Sequence, residues 1–208
     1  METIILANGE FPQRKQVRDL LQSAGRVVCC DGAVENLLQT GREPDIIIGD
    51  LDSISRATKA RFQDRLVQVD DQDTNDLTKA VNWCIDRGID KVVILGATGK
   101  REDHSLGNIS LLLEYIPKIE VEIRTDYGCF IPLTKAQNTI KTFMGQQVSV
   151  FSLNTRSEFT SEGLKYPLNK MRLDSWWKGT LNEAVSDEIR INISGEPFTA
   201  IVYLLGWD

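Results

Sequence analysis

The sequence predicts an α/β N-terminal domain with a mostly parallel sheet flanked by helices, plus a C-terminal all-β sandwich domain. Three observations predict it. Over residues 1 to 120 short apolar runs alternate with helical patterns. Residues 121 to 208 instead form a series of short β-rich runs, punctuated by Gly145, Gly163, Gly179 and Gly195. Acid is segregated as well: 13 of the 17 aspartates lie in residues 1 to 120, so the two stretches differ in kind as well as in period. The domains are placed at 1 to 120 and 121 to 208, with the junction somewhere in 117 to 128.

In the first stretch, strands are expected at Thr3–Ala7, Arg26–Cys30, Asp45–Ile48, Leu66–Val69 and Lys91–Leu95. The clearest helix runs from about Thr74 to Arg87, with Leu77, Ala80, Val81, Cys84 and Ile85 on one stripe and Gly88 as its stop. A second begins near Asp103 and ends before Pro117. Strand–helix alternation of this length gives parallel pairing, and ligands of such sheets collect beyond the carboxyl ends of the strands. From residue 121 the expected strands are Val121–Thr125, Thr139–Phe143, Gln147–Leu153, Glu188–Ile193 and Thr199–Leu205.

Composition removes several function classes. With 24 Lys plus Arg against 30 Asp plus Glu the chain carries a net charge of -6 and no basic stripe, which argues against a nucleic-acid partner. Apolar runs such as Ile46–Ile48 are far too short to span a bilayer, and the Met1-Glu2-Thr3 start lacks a basic region. A cytoplasmic address and no membrane partner are expected. Cys29, Cys30, Cys84 and Cys129 show no Cys-x-x-Cys spacing and read as reduced thiols, with Cys29 and Cys30 as buried small hydrophobes of a strand. His104 is the only histidine, so multi-histidine metal sites are excluded. A surface or helix-packing role is expected for it.

The chemistry therefore falls to three loops that follow strands. In Gly49-Asp50-Leu51-Asp52-Ser53 an apolar strand ends at two carboxylates spaced i, i+2. Extended geometry would point both the same way, as a hard oxygen site for Mg²⁺ and substrate phosphates. A solvated turn with Asp52 or Ser53 capping the next helix is the alternative. Asp70-Asp71-Gln72-Asp73-Thr74-Asn75-Asp76 opens the best helix, and Thr74 as cap with Asp76 in the first turn explains part of it. Its density of like charge would be relieved by a divalent cation. Lys79, three residues after Asp76, could pair with that acid or reach a phosphate. In Gly96-Ala97-Thr98-Gly99-Lys100-Arg101-Glu102-Asp103 the glycine spacing is wrong for a Walker A loop, which leaves a flexible turn with Arg101 as a bidentate phosphate clamp, or an ordinary strand–helix turn.

Together with Asp31-Gly32-Ala33, these loops closely resemble, in order and spacing and over essentially the whole chain, the thiamine pyrophosphokinase family. The resemblance implies transfer of pyrophosphate from ATP to the hydroxyl of thiamine, giving thiamine diphosphate and AMP with Mg²⁺ required. It implies an ATP- and metal-binding first domain, a thiamine-binding and dimerisation second domain, and a homodimer with shared active sites. Asp50, Asp52 and Asp76 are then the metal and catalytic carboxylates. Asp31, Gln72, Asn75 and Lys79 fall on the nucleotide and phosphate side, Arg101 and Asp103 match the family's Arg-x-Asp, and Asn182 matches its Ser-Asn element near the thiamine ring. Leu181 stands where Ser is usual, Asn75 where many members have Thr, and no aromatic follows Glu183. Trp176 and Trp177 are candidates for a stacking ring, or for core or dimer contacts. Two other readings stay open: a haloacid-dehalogenase-like phosphatase, which would normally place its nucleophile directly at the strand end where Gly49 intervenes, and a non-catalytic thiamine or nucleotide sensor.

Overall fold

The structure is a computed structural model describing residues 2–71 and 73–206. It contains two compact units, Met1–Asp126 and Tyr127–Asp208. In the first, the apolar runs become β1 (Thr3–Leu6), β2 (Arg26–Cys30), β3 (Ile46–Gly49), β4 (Leu66–Gln68), β5 (Lys91–Leu95) and β6 (Glu120–Arg124). They pair in parallel in the order β6-β5-β1-β2-β3-β4. β1 is buried along its whole length, and β2 and β5 are buried after their first residue. Helices cover both faces of such sheets, which is why these strands read as continuous apolar runs rather than alternating ones.

The helices are α1 (Lys15–Ser23), α2 (Ala33–Leu38), α3 (Arg56–Arg61), α4 (Asp76–Asp86) and α5 (Glu102–Tyr115). α4 buries Leu77, Ala80, Val81 and Cys84, four of the five residues of the predicted stripe. Its cap differs from the expected one. Asn75, not Thr74, accepts from the Thr78 N–H at 2.8 Å, while Thr74 donates its hydroxyl to Asp71. An asparagine in extended conformation directly before the first helical residue outcompetes a threonine one position too early.

The strand expected to open the second domain is β6, and it pairs in parallel with β5, with Lys91 opposite Glu120. Because it extends the parallel sheet, the two units part between Asp126 and Tyr127 rather than at residue 120.

The second unit holds β7 (Gly128–Leu133), β8 (Gln137–Lys141), β9 (Gln147–Ser152), β10 (Glu158–Glu162), β11 (Met171–Arg172), β12 (Asn182–Glu183), β13 (Glu188–Ser194) and β14 (Ala200–Leu205). β12-β9-β14-β7 and β11-β10-β13-β8 are antiparallel sets. Val148, Val150, Val202 and Leu204 from one set share a core with Ile140, Phe159, Ile189, Ile191 and Ile193 from the other. Alternation is clear in β13, where Ile189, Ile191 and Ile193 are buried between polar neighbours. Each such side chain contributes about 1.5–3 kcal/mol of burial. Among the described residues no helix is long and apolar enough to cross a membrane.

All four cysteines are buried. Burial pushes the Cys29 and Cys30 thiols well above their ordinary value and Cys84 up to about 12. The native protein should therefore leave all four unreacted with a thiol-specific disulfide reagent at pH 8. All four should react once denaturant is added, as read by release of the chromophore; rapid labelling of Cys29 or Cys30 in the native state would contradict this packing.

Candidate active site

Three chain ends converge to make the acidic centre. β2 stops at Cys30, and the next residue, Asp31, turns the chain with a left-handed φ of 40° while its N–H donates to Ile48 O at 2.8 Å. β3 stops at Gly49 and leads to Asp50. α4 begins at Asp76. Asp31, Asp50 and Asp76 consequently each offer a carboxylate oxygen within 4.8 Å of the others. Gly49 is what lets them close up. A Cβ there would lie 3.0 Å from the Asp31 Cβ and 3.2 Å from Asp76 Oδ1.

Asp31 is only 4% exposed. Its Oδ2 accepts from the Ser53 N–H at 3.2 Å, whereas Oδ1 is buried without a hydrogen-bond partner. Burial pushes this carboxyl up; hydrogen bonds from Ser53 oppose the shift, and the charges of Asp76 and Asp50 add to it. A buried carboxylate oxygen with no donor, beside two further carboxylates, fits a hard divalent cation that takes oxygen ligands. Lys79 joins the group from α4. Its side chain is 5% exposed and its ammonium donates to Asp76 Oδ1 at 3.1 Å.

Asp52 does not join them. Leu51 is buried and adopts φ 66°, so the chain turns instead of extending, and the i, i+2 spacing no longer points both acids one way. Asp52 is exposed, takes the Ser53 hydroxyl at 2.8 Å, and donates its own N–H to Asp50 Oδ1 at 3.2 Å. The other acid-rich loop also folds onto itself: Asp71 accepts from the Asp73 N–H at 2.8 Å and from the Thr74 hydroxyl. Gln72 lies outside the described residues.

Next to the carboxylates a cavity of about 420 Å³ opens where the strand order reverses between β1 and β5. Its walls come from Ala7, Asn8 and Gly9 after β1, Gly99, Lys100 and Arg101 after β5, Asn75 and Asp76 at the start of α4, and His104 and Asn108 on α5. Backbone bonds Ala7 N–Leu95 O, Gly9 N–Gly96 O and Glu10 N–Thr98 O, at 2.7 to 2.8 Å, draw the two loops together. A Cβ on Gly9 would meet Gly96 O at 2.3 Å, so that approach needs glycine. Sequence reasoning missed Asn8, Gly9 and Asn108. The available signal was the Asn8-Gly9 turn dipeptide directly after an apolar strand. His104 is exposed, as expected, and also stands on the cavity wall.

Arg101 donates to both carboxylate oxygens of Asp103, at 3.1 and 2.5 Å. Those hydrogen bonds hold the Asp103 carboxyl below its usual range, which makes it a weak proton acceptor. Both side chains are exposed. Asn75 Oδ1 is occupied by its capping bond, and its amide reaches Asn108 Oδ1 at 3.5 Å.

In the second unit Asn182 is buried and largely used up by its own neighbourhood. Its Oδ1 accepts from the Tyr166 and Glu183 N–H groups and its amide donates to Tyr166 O at 2.7 Å. That makes it a clamp on the 165–166 segment. Trp176 and Trp177 are 52% and 73% exposed, which rules out the core role within this chain.

The family model for the thiamin pyrophosphokinase catalytic domain matches residues 17–123, and that for the thiamin pyrophosphokinase substrate-binding domain matches 128–203. Thiamine pyrophosphokinase of Bacillus subtilis is 31% identical over 160 residues, 69% of this chain and 70% of that protein. Thiamin pyrophosphokinase 1 of Caenorhabditis elegans is 31% identical over 110 residues, 49% of this chain and 45% of its own length. The crystal structure of the B. subtilis enzyme is similar with a TM-score of 0.78 at 23% identity, covering 100% of both chains. That of the Geobacillus thermodenitrificans enzyme gives 0.79 at 24%, covering 100% and 98%. These two share the fold, and the family models together with the B. subtilis relative place the chain in the thiamin pyrophosphokinase family, as an enzyme of that type.

Proposed function

We propose that the enzyme transfers a pyrophosphoryl group from ATP to the hydroxyl of thiamine, giving thiamine diphosphate and AMP, with Mg²⁺ required. The observation that carries this reading is the orphaned, buried Asp31 Oδ1 within a carboxylate trio at the edge of the β1–β5 cavity. Asp31, Asp50 and Asp76 would hold the ion. When bound, it supplies charge neutralisation on phosphate oxygens and fixes their orientation for in-line attack. Asp52, on the same loop, remains a proposed further ligand that reaches the group only if the Leu51 turn extends.

The chain's own cations complete the phosphate side. Lys100 donates to Asn8 O at 3.0 Å across the cavity mouth, and Arg101 follows it. Because the Arg101–Asp103 pair is exposed on both sides, exchanging that carboxylate for a phosphate costs little. The Asn75 amide and, by family likeness, Gln72 are the proposed polar contacts to nucleotide or diphosphate. Attack by the substrate hydroxyl needs no covalent enzyme intermediate. The first unit would bind ATP and metal, and the second would bind thiamine and join two chains into a homodimer with shared sites. Exposed Trp176, Trp177 and Leu181 offer the second unit an apolar surface for that purpose. The buried thiols of Cys29, Cys30 and Cys84 fit a reducing compartment, and the cytoplasm is the proposed address.

Purified protein with ATP, Mg²⁺ and thiamine should release AMP and thiamine diphosphate in equal amounts. Formation of ADP with thiamine monophosphate would make it an ordinary kinase, and free phosphate without acceptor a phosphatase. Asp50→Asn and Asp76→Asn should each lower kcat about 100-fold or more while the circular dichroism spectrum is unchanged, on the scale of losing one preorganised charge contact in phosphoryl transfer. Near-normal turnover of either at saturating Mg²⁺ would remove the metal assignment.

Shared sites make a separate prediction. When inactive Asp50→Asn chains are mixed with inactive Asn182→Ala chains under exchanging conditions, a heterodimer has one site carrying both lesions and one carrying neither, so activity returns. If each chain builds its own site, every site carries a lesion and mixing restores nothing.

A further inference from the structure

We propose that Lys79 is a built-in counter-cation of the Asp31–Asp50–Asp76 group, holding Asp76 while no ion is bound and releasing it as a divalent cation enters. The inference rests on the cation reading given under Proposed function and adds a competitor that sets how tightly the ion is held.

The lysine is in an otherwise unfavourable place. Its side chain is 5% exposed, and a buried ammonium gives up hydration that only an opposite charge in good geometry returns. It also stands in the first turns of α4, close to the positive end of the helix dipole, where a cation is disfavoured. What compensates both is the carboxylate one turn earlier, with Nζ 3.1 Å from Asp76 Oδ1. Asp76 is in turn one of three acids with oxygens within 4.8 Å of one another, a concentration of like charge that the fold imposes whether or not an ion is present. A single buried cation lowers that repulsion without cancelling it. The group thus stays anionic enough to attract a divalent ion, and the ion and the ammonium compete for the same carboxylate.

Competition has a signature that neither a structural nor a phosphate-contact role shares. Wild type, Lys79→Met and Lys79→Arg are to be compared for Mn²⁺ and Mg²⁺ binding by calorimetry without nucleotide, and for melting temperature with and without the ion. Lys79→Met keeps the apolar stem and removes the charge. It should melt lower than wild type in the absence of ion, recover on adding Mn²⁺, and bind Mn²⁺ about fivefold or more tightly, the usual size of coupling between competing ligands. Lys79→Arg should keep wild-type affinity. An unchanged Mn²⁺ constant in Lys79→Met overturns the proposal, whether accompanied by a uniform loss of stability or by a loss of ATP affinity alone.

Should Lys79→Met fail to fold, the wild type still decides. Its Lys79 side-chain resonance, assigned by its disappearance in Lys79→Arg, should move when Mg²⁺ is added without nucleotide. A resonance that stays in place while calorimetry records binding overturns the proposal but leaves the ion site standing. Absence of any Mn²⁺ or Mg²⁺ binding to wild type removes both.

Discussion

Everything around this site is arranged by the need to hold three carboxylates closer than they would stay by themselves. Oxygens of Asp31, Asp50 and Asp76 within 4.8 Å of one another repel strongly in a half-buried setting, and water reaches the most buried of them poorly. A flexible loop would relax such a cluster by moving apart. Here it cannot, because Asp31 is tied by its N–H to the end of β3, Asp50 follows β3 directly, and Asp76 starts a helix that packs its apolar stripe inward. The rigidity comes from the parallel sheet, whose buried central strands deliver their carboxyl ends to one edge.

Backbone conformation bears part of that burden. Asp31, Leu51 and Lys100 all have left-handed φ angles, and they lie in the loops that follow β2, β3 and β5. Non-glycine residues adopt that region at a cost of roughly 1–3 kcal/mol and keep it only where surrounding structure over-determines them. The reasons differ. At Asp31 the turn buries a carboxylate, at Leu51 it buries an apolar side chain, and at Lys100 it accompanies an ammonium bonded back to Asn8. Gly49 and Gly9 do the complementary work by removing a side chain where others must approach.

Much of this was legible in the sequence, and the illegible parts have physical reasons. β2 and β5 begin and end where their apolar runs put them, since a strand buried in all but its first residue leaves little ambiguity about its extent. α2 and α3 have six residues each, under two turns, so no 3.6-residue period can register in them. β7 contains Pro132, which argues against a strand, and β10 carries a single large apolar residue, Phe159, yet tertiary pairing makes strands of both. The candidate site was legible as a set of loops but not as a set of distances. Adjacency in sequence favoured Asp50 with Asp52, whereas the fold prefers Asp31, contributed by the neighbouring strand. The deciding residue is Leu51, whose burial turns the chain and sends Asp52 outward.

Two lysine- or arginine-to-aspartate pairs stand at this edge, and comparing them explains how one site can be both stable and exchangeable. Arg101 and Asp103 are both more than half exposed, so water screens their attraction and either partner can be replaced by a phosphate or a solvent ion at little cost. Lys79 lies on the buried side, where its ammonium gives up hydration that the partly exposed Asp76 carboxylate returns. Under the proposed function, an exchange at the exposed pair would change what the cavity binds. An exchange at the buried pair is permitted only when another positive charge arrives at the same carboxylate. Under the proposed function, burial, more than the identity of the charged residues, would therefore separate the contacts that turn over with substrate from those that wait for an ion.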